Sequence, residues 1–258
     1  MNPKVAIIIA NYNYENYVIK AINSALNQTY KGEIRIYIVD DGSNDSSWEK
    51  ISEVTKPVTS IEMLDLYYEG DIEFRQSGNI FAYRIKNSGA SVARNVAMWQ
   101  AMEWADVFGI LDSDDEYYPE KVEKLVEKLV EYPEIGVAYA DYKIITPNYC
   151  KLELKESYSA NVLFQRCMVH SNSLIKKQYI EQVILPNREI FDSRLHGPAS
   201  KGFIGCTEDY DLWIRLSKVC IMTHVPECLA VANEHGNNQS LKMTNEIFNQ
   251  HAQILGSR

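Results

Sequence analysis

The run Val107 to Asp115, VFGILDSDD, constrains the fold more than any other stretch of this chain. An apolar segment that ends abruptly in carboxylates predicts a buried strand delivering acids to the end of a sheet, where α/β folds keep their ligands. Side chains alternate along an extended segment, so Asp112 and Asp114 are expected to face the same way, with Ser113 turned aside. Crowded carboxylates raise each other's pKa and repel unless a cation sits between them. Hard oxygen ligands favour Mg2+, Mn2+ or Ca2+ over softer metals. A polar turn ahead of a helix is the other reading, because Asp and Ser are ordinary loop and cap residues.

The chain is long enough, at 258 residues and 46% hydrophobic, for one large α/β domain or two small ones. Its 26 Lys and Arg against 35 Asp and Glu give a net charge of −9. That balance leaves no overall basic footprint for nucleic acid or anionic lipid, so a polyanionic substrate needs a local device such as a metal. No apolar run approaches a membrane span. Lys4 leads straight into Val5 to Ala10 without a signal-peptide pattern, and the expected location is the cytoplasm. The five cysteines, Cys150, Cys167, Cys206, Cys220 and Cys228, are scattered and never in CxxC spacing. They are expected to be reduced packing residues rather than disulfide partners or zinc ligands.

Lys4 to Ala10 predicts a central parallel strand that ends in Asn11-Tyr12-Asn13-Tyr14. Val18, Ala21, Ile22, Ala25 and Leu26 then mark one face of a helix. Glu33 to Val39 repeats the strand pattern and ends in Asp40-Asp41-Gly42-Ser43, after which Asp45 or Ser46 caps a helix running to Thr55 and stopped by Pro57. This βαβα start implies a parallel, doubly wound sheet. Val58 to Asn79 reads as a hairpin turning at Glu69-Gly70-Asp71 or as an irregular excursion, and Ile80 to Ile85 as a return to the sheet. A buried helix spans Ala90 to Ala105, with Arg94 and Asn95 as its polar exceptions. Arg94 is either an anion site at a helix start or a structural partner of a nearby Asp.

Pro119 opens a helix whose inner face is Val122, Leu125, Val126, Leu129 and Val130, with Lys and Glu on a solvated outer face. Val137 to Ile145 is a further strand. Beyond it Tyr149 to Lys177 and Leu185 to Cys206 are irregular, which marks functional or mobile segments. His170, Ser171 and Asn172 either line an acceptor side or form a buried hydrogen-bonded cluster. Thr207 is expected to cap a helix that turns Leu212, Leu216 and Val219 inward, and acids in its first turn also suit the helix dipole.

Asn11-Tyr12, Asp40-Asp41 and Asp112-Asp114 each follow the C-terminal end of an apolar strand, so a parallel sheet brings them to one crevice. An aromatic, an acid for a base N–H, an arginine and a metal-binding pair describe a nucleoside diphosphate pocket. No GxxxxGK[ST] loop is present and no GxGxxG follows the first strand.

The ordered set ANYNYENYVIKAINSALNQTY, IVDDGSNDSS, NSGASVARN, LDSDD followed by a proline, and TEDYDLWIRL resembles glycosyltransferase family 2, inverting nucleotide-sugar transferases with a GT-A fold. The resemblance implies a single domain over 1–258, with a nucleotide-sugar half over 1–115 and an acceptor-side half over 116–258. Its sheet would be mostly parallel and Rossmann-like, with a less regular acceptor-side part. It implies that Asn11, Tyr12, Asp41, Arg94 and Asp112 bind the nucleotide, that Asp112, Asp114 and His235 hold Mn2+ or Mg2+, and that Asp209 is the catalytic base. Glu208 and Trp213, beside that base, are expected to touch the acceptor or the donor sugar. The implied reaction moves one sugar from a nucleotide-diphosphate donor, UDP foremost, to a hydroxyl of a glycan or lipid-linked acceptor in cell-surface polysaccharide or glycan assembly. Peripheral association with the inner face of the membrane fits that role. Two departures stand out. Pro57 to Ile85 is longer than the family usually has before its NxG element, and the QxxRW motif of processive synthases is missing, which points to non-processive transfer.

Two other readings remain at this level. A non-catalytic sugar- or partner-binding module would keep the same fold. A phosphotransferase of the haloacid dehalogenase type also uses a strand ending in DxD, although Glu116 stands where that loop wants Thr or Val.

Overall fold

A computed structural model of the chain describes residues 2–58, 67–196 and 207–236, together with Asn238 and Leu255. Along the chain come β1 (Val5–Asn11), α1 (Val18–Leu26), β2 (Ile34–Asp40), α2 (Ser47–Glu53), β3 (Lys56–Pro57), β4 (Glu73–Ser77), β5 (Ile80–Arg84), α3 (Ala90–Ala101) and β6 (Val107–Ile110). There follow β7 (Glu116–Tyr117), α4 (Lys121–Glu131), β8 (Ile135–Ile145), β9 (Cys150–Glu153), α5 (Ala160–Leu163), β10 (Leu174–Lys176), α6 (Lys177–Ile180), α7 (Glu208–Leu216) and β11 (Ile221–Asn233). The strands make one sheet in the order β3-β4-β5-β2-β1-β6-β10-β8-β11-β7, with β9 paired to β8.

The centre, β5-β2-β1-β6, is parallel throughout, as βα alternation requires. β10 runs antiparallel to both β6 and β8, so two reversals bring β8 back into line with β6, and β11 is parallel to β8. The mixed α/β fold of GT-A transferases expected from the sequence is therefore present. Strand alternation divides the core between the two faces. Ala6 and Ile8 pack with Val39, α3 and the Leu212, Trp213 and Leu216 side of α7. Val5, Ile7 and Ile9 pack with α1, α4 and Trp48 of α2 on the other face.

Local details depart from expectation for identifiable reasons. Of the two expected caps of α2, Ser46 stands at the N-cap position without a side-chain bond while Asp45 Oδ1 accepts from the Ser47 backbone N–H at 2.9 Å, and the helix ends at Glu53 rather than Thr55. The hairpin before α3 joins β4 to β5 and turns at Gly78-Asn79, where Gly78 has φ 54°, rather than at Glu69-Gly70-Asp71. The long segment from Pro57 thereby supplies an antiparallel edge to the sheet; residues 59–66 within it lie outside the described residues. α3 stops at Ala101, four residues short of Ala105. Val130 is exposed, while Lys121, expected on the solvated face of α4, is fully buried with its ammonium over the Tyr117 ring. The apolar face of α4 is Val122, Leu125, Val126 and Leu129, all buried, and it leaves Val130 on the outer side. The Thr207 side chain makes no cap hydrogen bond to α7. Instead, Asp209 Oδ1 accepts from the Tyr210 N–H at 2.7 Å. Cys150 and Cys167 are exposed rather than packed, and Cys206 lies outside the described residues.

Burial pushes the Lys121 ammonium down from 10.5 to about 7. Its folded-state value lies below the unfolded one, so the stability linked to it is full above 10.5 and is lost as pH falls towards about 7. Lys121→Met should therefore raise the melting temperature near neutral pH, by on the order of 2 kcal/mol of stability. The gain should shrink as the pH approaches that of an unperturbed lysine. Melting curves across that range check it; equal stability at every pH would show that Lys121 is accommodated without cost.

Candidate active site

The C-terminal ends of β1, β2, β6, β8 and β11 share one edge of the sheet. They open on a cleft of about 430 Å3. From the strand order, Asp41 after β2 and Tyr142 on β8 stand at opposite ends of this cleft, with the Asp112 to Asp115 loop after β6 between them.

At the β2 end the glycines of the DDGS and NSG segments are dictated by geometry. Gly42 has φ +71°, and a Cβ there would come within 2.8 Å of the Asn87 backbone nitrogen. Gly89, at the N-cap of α3, has φ 100°. This close approach lets Asp41 accept from the Ser88 N–H at 2.7 Å, the Gly89 N–H at 2.8 Å and Asn87 Nδ2 at 3.0 Å. Burial nevertheless pushes its carboxyl up to about 7 against those donors. Asn11 is almost wholly buried, donating to Asp40 Oδ2 at 2.9 Å and Ser43 Oγ at 3.3 Å, while its Oδ1 has no partner among the described residues.

In the centre Arg94 of α3 links two carboxylates. Its Nη2 donates to Asp112 Oδ1 at 2.7 Å and its Nη1 donates to Glu208 Oε1. Asp112 also accepts from Ser171 Oγ at 2.8 Å and keeps 28% of its side chain exposed. Burial alone would raise Asp112, but Arg94 holds it below the usual carboxylate range. Glu208, at the start of α7, is more enclosed. Its burial is outweighed by His196, whose Nδ1 lies 2.8 Å away, and by Arg94, so its carboxyl falls to about 2. Among the described residues the neighbouring Asp209 makes no ion pair, its Oδ1 accepting from the Tyr210 N–H. Burial and the Glu208 charge push it up to about 7, in the same cleft.

Asp114 faces this cleft from the side of β11. His235 Nε2 lies 3.2 Å and Asn238 Nδ2 3.1 Å from its Oδ2, and Asn233 Nδ2 donates to its backbone carbonyl at 2.7 Å. His235 is itself stacked on Tyr17 with ring centroids 4.7 Å apart. Burial and the Asp112 charge push Asp114 up to about 6. Asp115, also at the cleft, accepts from Asn172 Nδ2 at 3.0 Å and the Asn233 N–H at 3.1 Å and so fastens the β6 loop to β11. Among the described residues no three His, Cys, Asp or Glu side chains close into a metal cage. Asp114 meets His235, whereas Asp112 is engaged by Arg94 and Ser171. Burial first and the Asp112 charge second raise Asp114, and a divalent cation there would offset both; Mg2+-type ions commonly bind through one or two carboxylates together with substrate phosphates.

Asn11, Tyr12, Asp41, Arg94, Asp112, Asp114, Glu208 and Asp209 thus all reach one cleft, and His235 meets it through Asp114. Arg94 realises the structural alternative, paired to carboxylates. Glu208 lines the cleft, but its Oε1 is engaged by Arg94 and His196. Trp213 does not reach the cleft. It is fully buried in the core, because α7 runs inward and one turn past Asp209 is already beneath the sheet. His170 and Ser171 line the cleft, and the buried Asn172 supports it. Sequence reasoning missed His196, Asn233 and Asn238. Lone polar residues in irregular segments carry no periodic signal, although Asn238 belongs to the same EHGNN run as His235.

Comparison with known proteins fits this geometry. The profile of glycosyl transferase family 2 matches residues 6–168. An uncharacterized glycosyltransferase of Haemophilus influenzae is 25% identical over 241 residues, covering 92% of this chain and 68% of the relative. One of Rickettsia conorii is 28% identical over 264 residues, 98% of this chain but 37% of the relative, so the chain spans only part of such proteins. The minor teichoic acid biosynthesis protein GgaA of Bacillus subtilis is 31% identical over 163 residues, 62% of this chain and 31% of that protein. The crystal structure of S. aureus TarS 1-349 in complex with UDP-GlcNAc superimposes with a TM-score of 0.67 at 16% identity, over 98% of this chain and 65% of that one. With its profile matched over more than half of its length and its sheet shared with these transferases, the chain belongs to glycosyl transferase family 2.

Proposed function

We propose that this protein is an inverting, non-processive transferase that moves one sugar from a UDP-sugar to a hydroxyl of a glycan or lipid-linked acceptor in cell-surface polymer assembly. The observation that carries the reading is the position of Asp209. A carboxylate raised to about 7 shares a cleft with the strand-end acids Asp112 and Asp114. A group that titrates near neutrality is suited to take a proton from an attacking hydroxyl and still be deprotonated beforehand. The crystal complex of TarS with UDP-GlcNAc, on the same fold, supports UDP as the nucleotide. The relation to GgaA supports a role in cell-surface polymer assembly.

In this reading Asp41 and Tyr12 flank the base and Asn11 supports the loop beneath it. Asp112 and Asp114, with His235, would hold Mn2+ or Mg2+. When bound, such an ion offsets the charge that develops on the leaving diphosphate, so no protonating acid is required. Arg94 holds Asp112 and Glu208 in fixed orientation, and Glu208 keeps the Asp209 pKa up. Asp209 removes the proton of the acceptor hydroxyl as its oxygen attacks the anomeric carbon from the face opposite the leaving group. Configuration therefore inverts through an oxocarbenium-like state.

Transfer should rise with pH through about 7 as Asp209 loses its proton. Asp209→Asn should lower the rate by roughly 10²-fold or more and remove that limb while leaving UDP binding in place. An unchanged pH profile in the variant would take Asp209 out of the role. Binding with no turnover in the wild-type chain would favour a non-catalytic module.

Thermal shifts with UDP, GDP, dTDP and CDP, each with and without Mn2+, identify the donor class. A ligand at a hundredfold its Kd stabilises the folded state by about 2.7 kcal/mol. Asp114→Ala should lose the Mn2+-dependent part of the UDP shift. A full Mn2+-dependent shift in that variant would contradict the site.

A further inference from the structure

The β8 end of the cleft has a construction of its own. Asp141 and Tyr139, both buried on β8, hold the chain just beyond β9 from beneath. Asp141 Oδ1 accepts from the Lys155 backbone N–H at 2.7 Å, and the Tyr139 hydroxyl donates to the Glu156 carbonyl at 2.6 Å. Asp141 is in turn braced by His224 of β11, whose Nε2 lies 2.7 Å from the same oxygen. Two buried polar side chains thus fix a stretch of backbone that is otherwise irregular, and what that stretch presents to the cleft is the Lys155 side chain. Its ammonium lies 5.7 Å from the centre of the Tyr142 ring, and that ring packs on His170 with centroids 4.0 Å apart.

Charge gives this placement its meaning. Seven cleft-lining residues are Asp or Glu, namely Asp41, Asp112, Asp114, Asp115, Glu208, Asp209 and Glu234. Two carry a fixed positive charge, Arg94 and Lys155. Arg94 is held between Asp112 and Glu208, whereas among the described residues Lys155 makes no ion pair. An acidic wall repels an anion everywhere except beside a cation that is not already neutralised. Lys155 is such a cation, and by the strand order it stands beyond the Asp112 loop at the end away from Asp41. In the proposed reading the nucleotide lies towards Asp41, so the ammonium is left to the acceptor.

We propose that Lys155 forms a subsite for an oxyanion, phosphate or carboxylate, carried by the acceptor next to the hydroxyl that receives the sugar. This would make the protein selective for anionic over neutral acceptors. The proposal rests on the donor reading above for the direction in which the substrate lies. Tyr142 and His170 give the acceptor carbon skeleton an aromatic wall, and the lysine fixes its charge.

The test uses the whole chain saturated with UDP and Mn2+, so that the diphosphate position is filled, and follows thermal shifts on adding glycerol 3-phosphate, glycerate or glycerol. Glycerol 3-phosphate or glycerate should bind and glycerol should not, and whichever of the two binds more tightly separates phosphate from carboxylate as the group recognised. Lys155→Met, which keeps the stem, should weaken that binding roughly tenfold, as expected for loss of one charge-assisted contact, and Lys155→Arg should restore most of it. The UDP shift of each variant, measured before any anion is added, reports that the fold and donor site are intact. Equal affinity for the anion in wild type and Lys155→Met, or no anion binding to the wild type, overturns the proposal. A loss of UDP affinity in Lys155→Met equal to the loss of anion affinity would assign the ammonium to the donor diphosphate and overturn it as well. Failure of the wild-type chain to take any nucleotide defeats the donor reading instead. The anion titration, repeated on the nucleotide-free protein, then still distinguishes a Lys155-dependent subsite from none.

Discussion

The Arg94 guanidinium is the interaction on which the rest of the cleft depends. It is buried on α3 between Asp112, just past the end of the next element β6, and Glu208 at the start of α7, which lies 114 positions away. A buried cation between two carboxylates adds little net stability over an apolar replacement, yet removal of one partner leaves unpaired charge and costs about 3–5 kcal/mol. Its value lies in geometry. With Arg94 in place, α7 must start beside the Asp112 loop, and Asp209 follows into the cleft. A second ion pair farther along α7 secures the same orientation: Arg215 binds Asp211 and donates to the carbonyls of Val183 at 2.5 Å and Ile190 at 2.6 Å. Asn95, next to Arg94, reaches the same irregular segment, donating to the Phe191 carbonyl and accepting from the Ile190 and Phe191 N–H groups.

That clamp also separates the protonation behaviour of two adjacent acids. Glu208 takes the salt-bridge partners and is held at about 2, whereas for Asp209 burial and the Glu208 charge outweigh Arg94 and the Tyr210 N–H, and it rises to about 7. Paired titratable groups whose surroundings drive them apart are a usual sign of divided roles, here a fixed anion and a group free to exchange protons. Asp112 and Asp114 repeat the pattern one loop away. Arg94 and Ser171 keep Asp112 ionised, and Asp114 carries the strain of proximity. The acids of this cleft are therefore not equivalent, although in the sequence they are all simply Asp or Glu.

Much of this arrangement was legible because strands declare their ends. VAIIIA into Asn11, IYIV into Asp40-Asp41 and VFGIL into Asp112 each turn from apolar to polar at one residue, and parallel pairing of β1 with β2 and β6 carries those points to one edge. What could not be read depended on contacts that sequence spacing does not encode. Arg94 is paired both to the nearby Asp112, as one of the two sequence readings had it, and to Glu208, 114 positions away, which spacing does not encode. Trp213 shares a helical face with Asp209, but the direction in which α7 plunges sets the depth of each, and depth has no periodic signature. Lys121 and Val130 depart from expectation at the two ends of α4. Gly78-Asn79 and Glu69-Gly70-Asp71 both offer glycine beside a polar residue, so spacing does not distinguish the turn that forms from the one that does not.

The residues of the cleft are held by different means, strand-end backbone near Asp41 and, on the opposite side, α7 and the chain after β11. The Asp41 end is made from backbone at the ends of adjacent parallel strands, with Gly42 and Gly89 needed for close approach, so its geometry ties it to particular residues at fixed offsets. The profile match over residues 6–168 covers all of that end and the Asp112 to Asp115 loop. Asp209 and His235 lie beyond it, on α7 and after β11, and reach the cleft only because β10 reverses the sheet twice and brings β8 and β11 back into parallel register with β6. A segment attached in that way needs to preserve only its anchor points, the Arg94 and Asp115 contacts, while the chain between them is free to vary. Substrate-shaping residues belong in such a region, since loops held on a rigid scaffold can change without unsettling the sheet. The strand-end geometry around Asp41 does not depend on how that segment is shaped.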